Sequence, residues 1–221
     1  MKHNYRKFKY HVLEKKYGDM DLKSLYRIIK KSFVYLVIVY IPFAVVATIT
    51  NNLLVKNDQY AAILLSGYAF SDYDYWAAPF AFLGSYPAWT FYFNLKGVRT
   101  DYIFRATKED LKNVLVEPKY QSIVLVGHGS NNAWRATDKL VSNEDIRQWQ
   151  SLFALKTGEW IQLSCPAADT YPEHMGELVM DGKNKVFHYS GVKVGNIEFV
   201  TDALTGFQLI KYQTRKRQNS S

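Results

Sequence analysis

Two residues stand out for chemistry in this 221-residue chain: His128, in the word Gly127-His128-Gly129-Ser130, and Cys165, in Ser164-Cys165. A thiol attacks a carbonyl only as the thiolate, and a neighbouring imidazole both lowers the thiol pKa and shuttles its proton. Each residue directly follows a short apolar run, SIVLV (Ser122–Val126) for the histidine and WIQLS (Trp160–Ser164) for the cysteine. If these runs are adjacent strands about 4.8 Å apart, their ends face each other across a gap suited to a substrate carbonyl. Gly129 lets that carbonyl approach the backbone closely, and its N–H is available to a developing oxyanion. Cys165 is the only cysteine. No intrachain disulfide or cysteine-based metal cluster can form, and any thiol chemistry has one place to happen.

A lone cysteine at a strand end is more often a small buried hydrophobe than a nucleophile. What points to catalysis is the pair, each member at a strand end. His174 and His188 lack that placement and read as surface or core residues. Three other readings of GHGS fail on the residues. An α/β-hydrolase elbow needs G-x-S-x-G, but position 129 is Gly and Ser130 comes one step late. A cobalamin-type chelatase carries a similar HGS word on its first strand, followed by a charged residue, whereas Asn131 follows here. A zinc site needs more ligands at workable spacing than His128 and Cys165 provide. Neither a metal nor a cofactor is expected.

The surrounding pattern is one of alternating strands and helices. Tyr60–Gly67 and Gly97–Arg105 read as strands, and Thr107–Val116 as a helix opened by a Thr-x-x-Asp capping box. Ser122–Val126 is a third strand, and Ser142-Asn143-Glu144-Asp145 caps a helix running to about Leu155. Trp160–Ser164 is a fourth strand and Phe187–Val194 a further one, with a helix or strand near Phe199–Phe207. Such alternation predicts an α/β domain with a mostly parallel sheet flanked by helices. Its strands read as unbroken apolar runs because both faces are buried. Sites in such sheets form beyond the carboxyl ends of the strands.

An apolar run, GHGS, about 35 residues, then an apolar run ending in Ser-Cys resembles the caspase-like cysteine peptidases, the group of caspases, legumains, gingipains, clostripains and bacterial CHAT proteins. The segment WRATDKLVSNEDI is similar to the hairpin and helix that follow the His-Gly turn in that group. The resemblance spans roughly Tyr60–Phe207. It implies a caspase-like fold, with His128 as general base and acid and Cys165 as nucleophile. It also implies the N–H groups of Gly129 and Cys165 as oxyanion donors. Pro166 follows the cysteine, where histidine, glutamine or a small residue is common in the group. Asp169 is a candidate for selecting a basic side chain at the cleavage site.

The N-terminal quarter is of another kind. Ser32–Val55 holds 24 residues without a charge, which as a helix reach about 36 Å and suffice for a hydrocarbon core of about 30 Å. Apolar residues occupy every face, unlike a core helix with a polar stripe. The charged leader is too long for a secretory signal, and no A-x-A site follows. Ten of the 28 Lys and Arg lie in residues 1–31 against Glu14, Asp19 and Asp21, so this segment supplies +7 of the net +8. The rest is near neutral apart from the basic tail at Arg215–Arg217, so no basic face argues for nucleic acid. Positive charge before the span predicts a cytoplasmic N-terminus and an outer main domain. Leu22, Leu25, Tyr26 and Ile29 would lie together on a helix suited either to an anionic membrane surface or to continuing the span. A second charge-free stretch, Tyr75–Leu95, contains Pro79, Gly84 and Pro87 and falls between two strands of one sheet, so it is not read as a second span.

The expected organisation is a basic juxtamembrane segment (1–31), a transmembrane helix (32–55), a caspase-like α/β domain (58–210) and a basic tail (211–221). The expected partners are a peptide or protein substrate and membrane lipid. Two further readings of the same residues remain open. One is a catalytically inactive membrane scaffold or sensor of this fold. The other is a small α/β domain binding a partner through an aromatic-rich loop, Tyr68–Phe93.

Overall fold

Residues 22–66, 86–164 and 173–189 are described by a computed structural model. The chain divides into two units, Met1–Phe43 and Ala44–Ser221. In the first, helix α1 (Leu22–Tyr35) leads into a π turn at Leu36–Tyr40. Helix α2 (Ile41–Ile49) begins in the first unit and ends in the second, to which a further π turn at Thr50–Leu54 belongs. Pro42 has no N–H to donate, and its ring crowds the carbonyl four residues back. The first π turn falls there, a common local adjustment in a helix. The helical stretch Tyr26–Leu54, 29 residues, is long and apolar enough to cross a membrane. On the basic stretch that precedes it, Lys23, Arg27, Lys30 and Lys31 are exposed.

The second unit begins inside the apolar segment, at Ala44. Here one helical face is buried, at Ala47, Asn51 and Val55, while Val45, Val46, Ile49, Leu53 and Leu54 are exposed. The apolar runs that follow form strands β1 (Tyr60–Leu65), β2 (Arg99–Phe104) and β3 (Tyr120–Val126). β4 (Gly129–Ser130), β5 (Ala133–Arg135) and β6 (Leu140–Ser142) are short. β7 (Trp160–Leu163) and β8 (Val186–Tyr189) complete the set. Five strands build one sheet in the order β2-β1-β3-β7-β8, every pair parallel. The α/β class and the parallel sheet therefore stand as the sequence predicts. The short strands form a separate antiparallel sheet, β4-β5-β6.

Residues 86–94 form helix α3, between β1 and β2. Trp89, Tyr92 and Phe93 pack with Ile63, Leu65, Val124 and Val126 on one face of the sheet. This corrects the reading of Tyr68–Phe93 as an aromatic loop over its described part, since residues 86–93 are helical and Trp89, Tyr92 and Phe93 are core. The remainder of that stretch lies outside the described residues.

On the opposite face Leu64, Ile123 and Leu125 pack against Leu111, Val114 and Leu115 of α4 (Lys108–Val116) and Ile146 of α5 (Asn143–Trp149). Both capping boxes form. The Asp110 carboxylate accepts from Thr107 N–H at 2.8 Å, and Asp145 accepts from Ser142 N–H at 3.0 Å. Beyond Trp149 the chain tightens into a 3₁₀ turn, Gln150–Leu152, so α5 ends earlier than expected.

Candidate active site

In a sheet of this order the chain leaves β1 to one side for β2 and returns on the other side for β3. The carboxyl ends of β1 and β3 therefore form the switch point of the sheet, where sites in such folds are built. Ser66 and Gly127 stand at those ends, and Ser66 N–H donates to the Val126 carbonyl at 2.9 Å. Gly127 adopts φ +143°, a conformation open to glycine, and a Cβ there would meet Ser66 Cβ at 2.7 Å. The backbone thus turns sharply out of the sheet and delivers His128 to its rim.

His128 is half-buried. Its carbonyl accepts from Arg135 N–H at 2.8 Å, which pins the residue to the hairpin that follows. β4 pairs with β5 (Gly129 with Trp134, Ser130 with Ala133), and β5 pairs with β6 (Trp134 with Val141). Trp134 anchors this small sheet, its ring fully buried among Leu64, Ile123 and Ile146. Removing a buried ring of that size typically costs about 3–5 kcal/mol, so the hairpin is held to the core by one large side chain.

β7 lies next to β3 in parallel register, with Val124 opposite Ile161 and Val126 opposite Leu163. The ladder continues past the strand, since Gly127 N–H donates to the Leu163 carbonyl at 3.1 Å. Cys165 itself, like Asp169, lies outside the described residues. Its neighbour Ser164 is fully buried. Gly129 packs so tightly here that an added Cβ would meet the Ala133 carbonyl oxygen at 2.5 Å and Ser164 Oγ at 3.2 Å. The His-Gly turn and the strand leading to the cysteine are therefore in direct contact.

The chain re-enters description at Glu173, beside the same hairpin. Asn143 Nδ2 donates to the Glu173 carbonyl at 3.1 Å, Met175 N–H to the Asn131 carbonyl at 2.9 Å, and Arg147 pairs with Glu173. His174 Nδ1 accepts from Gly176 N–H at 3.0 Å, capping the 3₁₀ turn Met175–Leu178. That is a structural use, in line with its reading as a surface or core residue. The side chain of His188, on β8, is outside the described set.

One residue of this region is not predicted from the sequence: Gln162 on β7, fully buried, whose Nε2 bonds to Ser130 O at 2.7 Å, Ser164 Oγ at 3.0 Å and Ala133 O at 3.2 Å. Its only signal is a polar residue in the middle of an apolar strand. Among the described residues no group of three or more His, Cys, Asp and Glu could hold a metal ion. No protein-family model, curated protein or solved structure matches the chain.

Proposed function

We propose that the chain is a cysteine peptidase of caspase-like type, anchored to a membrane by its N-terminal apolar helix. The observation that carries this reading is that β3, which leads into His128, and β7, which leads through Ser164 towards Cys165, are neighbouring strands paired in parallel. The hairpin and helix after His128 (β4–β6, then α5) also support it, because the resemblance calls for both at this point.

In the proposed reaction His128 takes the thiol proton of Cys165, and the thiolate adds to the scissile carbonyl. The N–H groups of Gly129 and Cys165 hold the oxyanion. His128 then gives its proton to the departing amine as the C–N bond breaks, leaving a thioester on Cys165. A water molecule, deprotonated by His128, adds to the thioester, and the thiol leaves with the proton. Asp169 is proposed to favour a basic side chain next to the cleaved bond. The basic segment before the apolar helix supports a cytoplasmic N-terminus with the sheet domain on the opposite side.

The test is alkylation of Cys165 by an iodoacetamide probe between pH 5 and 9, in the detergent-solubilised chain and in His128→Ala. Reaction well below the free-thiol pKa of about 8.5, lost in His128→Ala, is the expected result. A peptide-library screen would then define the substrate. A thiol that reacts only after denaturant is added would make Cys165 a structural residue and the protein a membrane-bound scaffold.

A further inference from the structure

An amide side chain buried in an apolar core costs stability unless its groups are bonded. Gln162 is fully buried; its Oε1 meets no donor among the described residues, while its Nε2 faces three acceptors: Ser130 O at 2.7 Å, Ser164 Oγ at 3.0 Å and Ala133 O at 3.2 Å. Ser130 and Ala133 close the turn that His128 enters, while Ser164 directly precedes Cys165. One nitrogen thus ties the turn carrying the imidazole to the end of β7, the strand that precedes Cys165 in the chain. Between them sits Gly129, with room for a hydrogen only.

We propose that Gln162 is a positioning residue for the His128/Cys165 pair. Its amide fixes how closely the His-Gly turn approaches the end of β7, and this distance sets how strongly the imidazole lowers the thiol pKa. The inference rests on the dyad reading above. An unbranched apolar residue at 162 would fill the space but release the turn. The hairpin would stay docked through Trp134 and Val141, both fully buried on the same face of the sheet.

The experiment measures the alkylation rate of Cys165 by iodoacetamide from pH 5 to 9 in the full chain in detergent. Wild type, His128→Ala, Gln162→Met and the double variant are compared, with near-UV circular dichroism and a thermal melt for each. Gln162→Met is expected to keep the native spectrum and to move the reactive midpoint upward towards that of His128→Ala. Once the midpoint lies well above pH 6.5, each further unit of that shift removes about tenfold of the thiolate present at that pH. The double variant should react no more slowly than His128→Ala alone.

Gln162→Glu, nearly isosteric, provides a second reading should Gln162→Met not fold. Once ionised it sets oxygens against two carbonyls, and its midpoint should rise at least as far. A Gln162 variant that melts lower yet keeps the wild-type midpoint overturns the positioning role and leaves the dyad intact. Wild type and His128→Ala sharing one unshifted midpoint would overturn the dyad, and this inference with it.

Discussion

Asn51 shows what one polar side chain does at the end of a mostly apolar helical run. Arg99 N–H is spent on the Gln59 carbonyl, so the next residue, Thr100, turns its N–H and C=O to the outer edge of β2. The Asn51 amide meets both: Oδ1 accepts from Thr100 N–H at 2.8 Å, and Nδ2 donates to Thr100 O at 3.1 Å. Asn51→Leu would strand two buried backbone groups. It is expected to lower the unfolding free energy by about 1–3 kcal/mol, measurable by urea titration in detergent. Gly127→Ala meets both a positive φ and Ser66 Cβ, and strain of that kind costs of order 1–3 kcal/mol. Because the distortion falls at the residue before His128, Cys165 alkylation should slow as well. Gln162 escapes a sequence reading because a single polar residue in an apolar run shows neither its partner nor the direction in which it points. Asn51 escapes it because Thr50 and Asn52 beside it are polar as well.

Between elements, charge ties the two helices on one face together. Lys108 Nζ donates to Asp145 Oδ1 at 2.6 Å, linking the first turns of α4 and α5. Burial opposes ionisation of Asp145, but the hydrogen bonds from Lys108 and Ser142 outweigh it and hold the carboxyl below its ordinary value. A depressed carboxyl contributes stability above the unfolded pKa, about 3.9, and loses it as pH falls through the folded value. The melting-temperature gap between wild type and Asp145→Asn should be constant above about pH 5 and close below about pH 4.

Lys156 carries the opposite sign. It is buried, with Nζ donating to the Glu117 carbonyl at 3.0 Å beyond the last turn of α4. Burial pushes its pKa down, and the Glu117 charge only partly counters this. The unfolded chain therefore binds the extra proton, and stability should rise with pH up to about 10.4. Lys156→Met should flatten that rise in alkaline thermal melts. The strands and capped helices were legible because unbroken apolar runs and Thr/Ser-x-x-Asp boxes are local signals. Helix α3 was not, since Pro87 sits in its described first turn and exposed Leu95 follows it. With aromatic residues also at Phe91 and Tyr92, no polar stripe marks its helical period.

At the scale of the whole molecule, the basic N-terminal segment and the exposed apolar positions of the helix Tyr26–Leu54 are what a bilayer would meet. The chain is expected to stay in the pellet when membranes are extracted with alkaline carbonate. Ile38→Arg, at an exposed position, adds roughly 2.5–3.5 kcal/mol against insertion and should send a measurable share to the supernatant. The strands that precede His128 and Cys165 in the chain were readable from sequence because strand length and spacing are local. What brings their strands side by side is the order β1-β3-β7, a long-range pairing that no short word encodes. The Asn51–Thr100 pairing bears on any soluble form of the protein. A chain begun at Lys56, where the apolar residues stop, would leave β2 as a bare, sticky edge ready to recruit a strand from a second molecule. It would also lose the Thr48 hydroxyl contact to Tyr86 OH at 2.6 Å. Begun at Ala44 the same domain keeps its own stopper, so the natural place to cut lies within the greasy stretch and not after it.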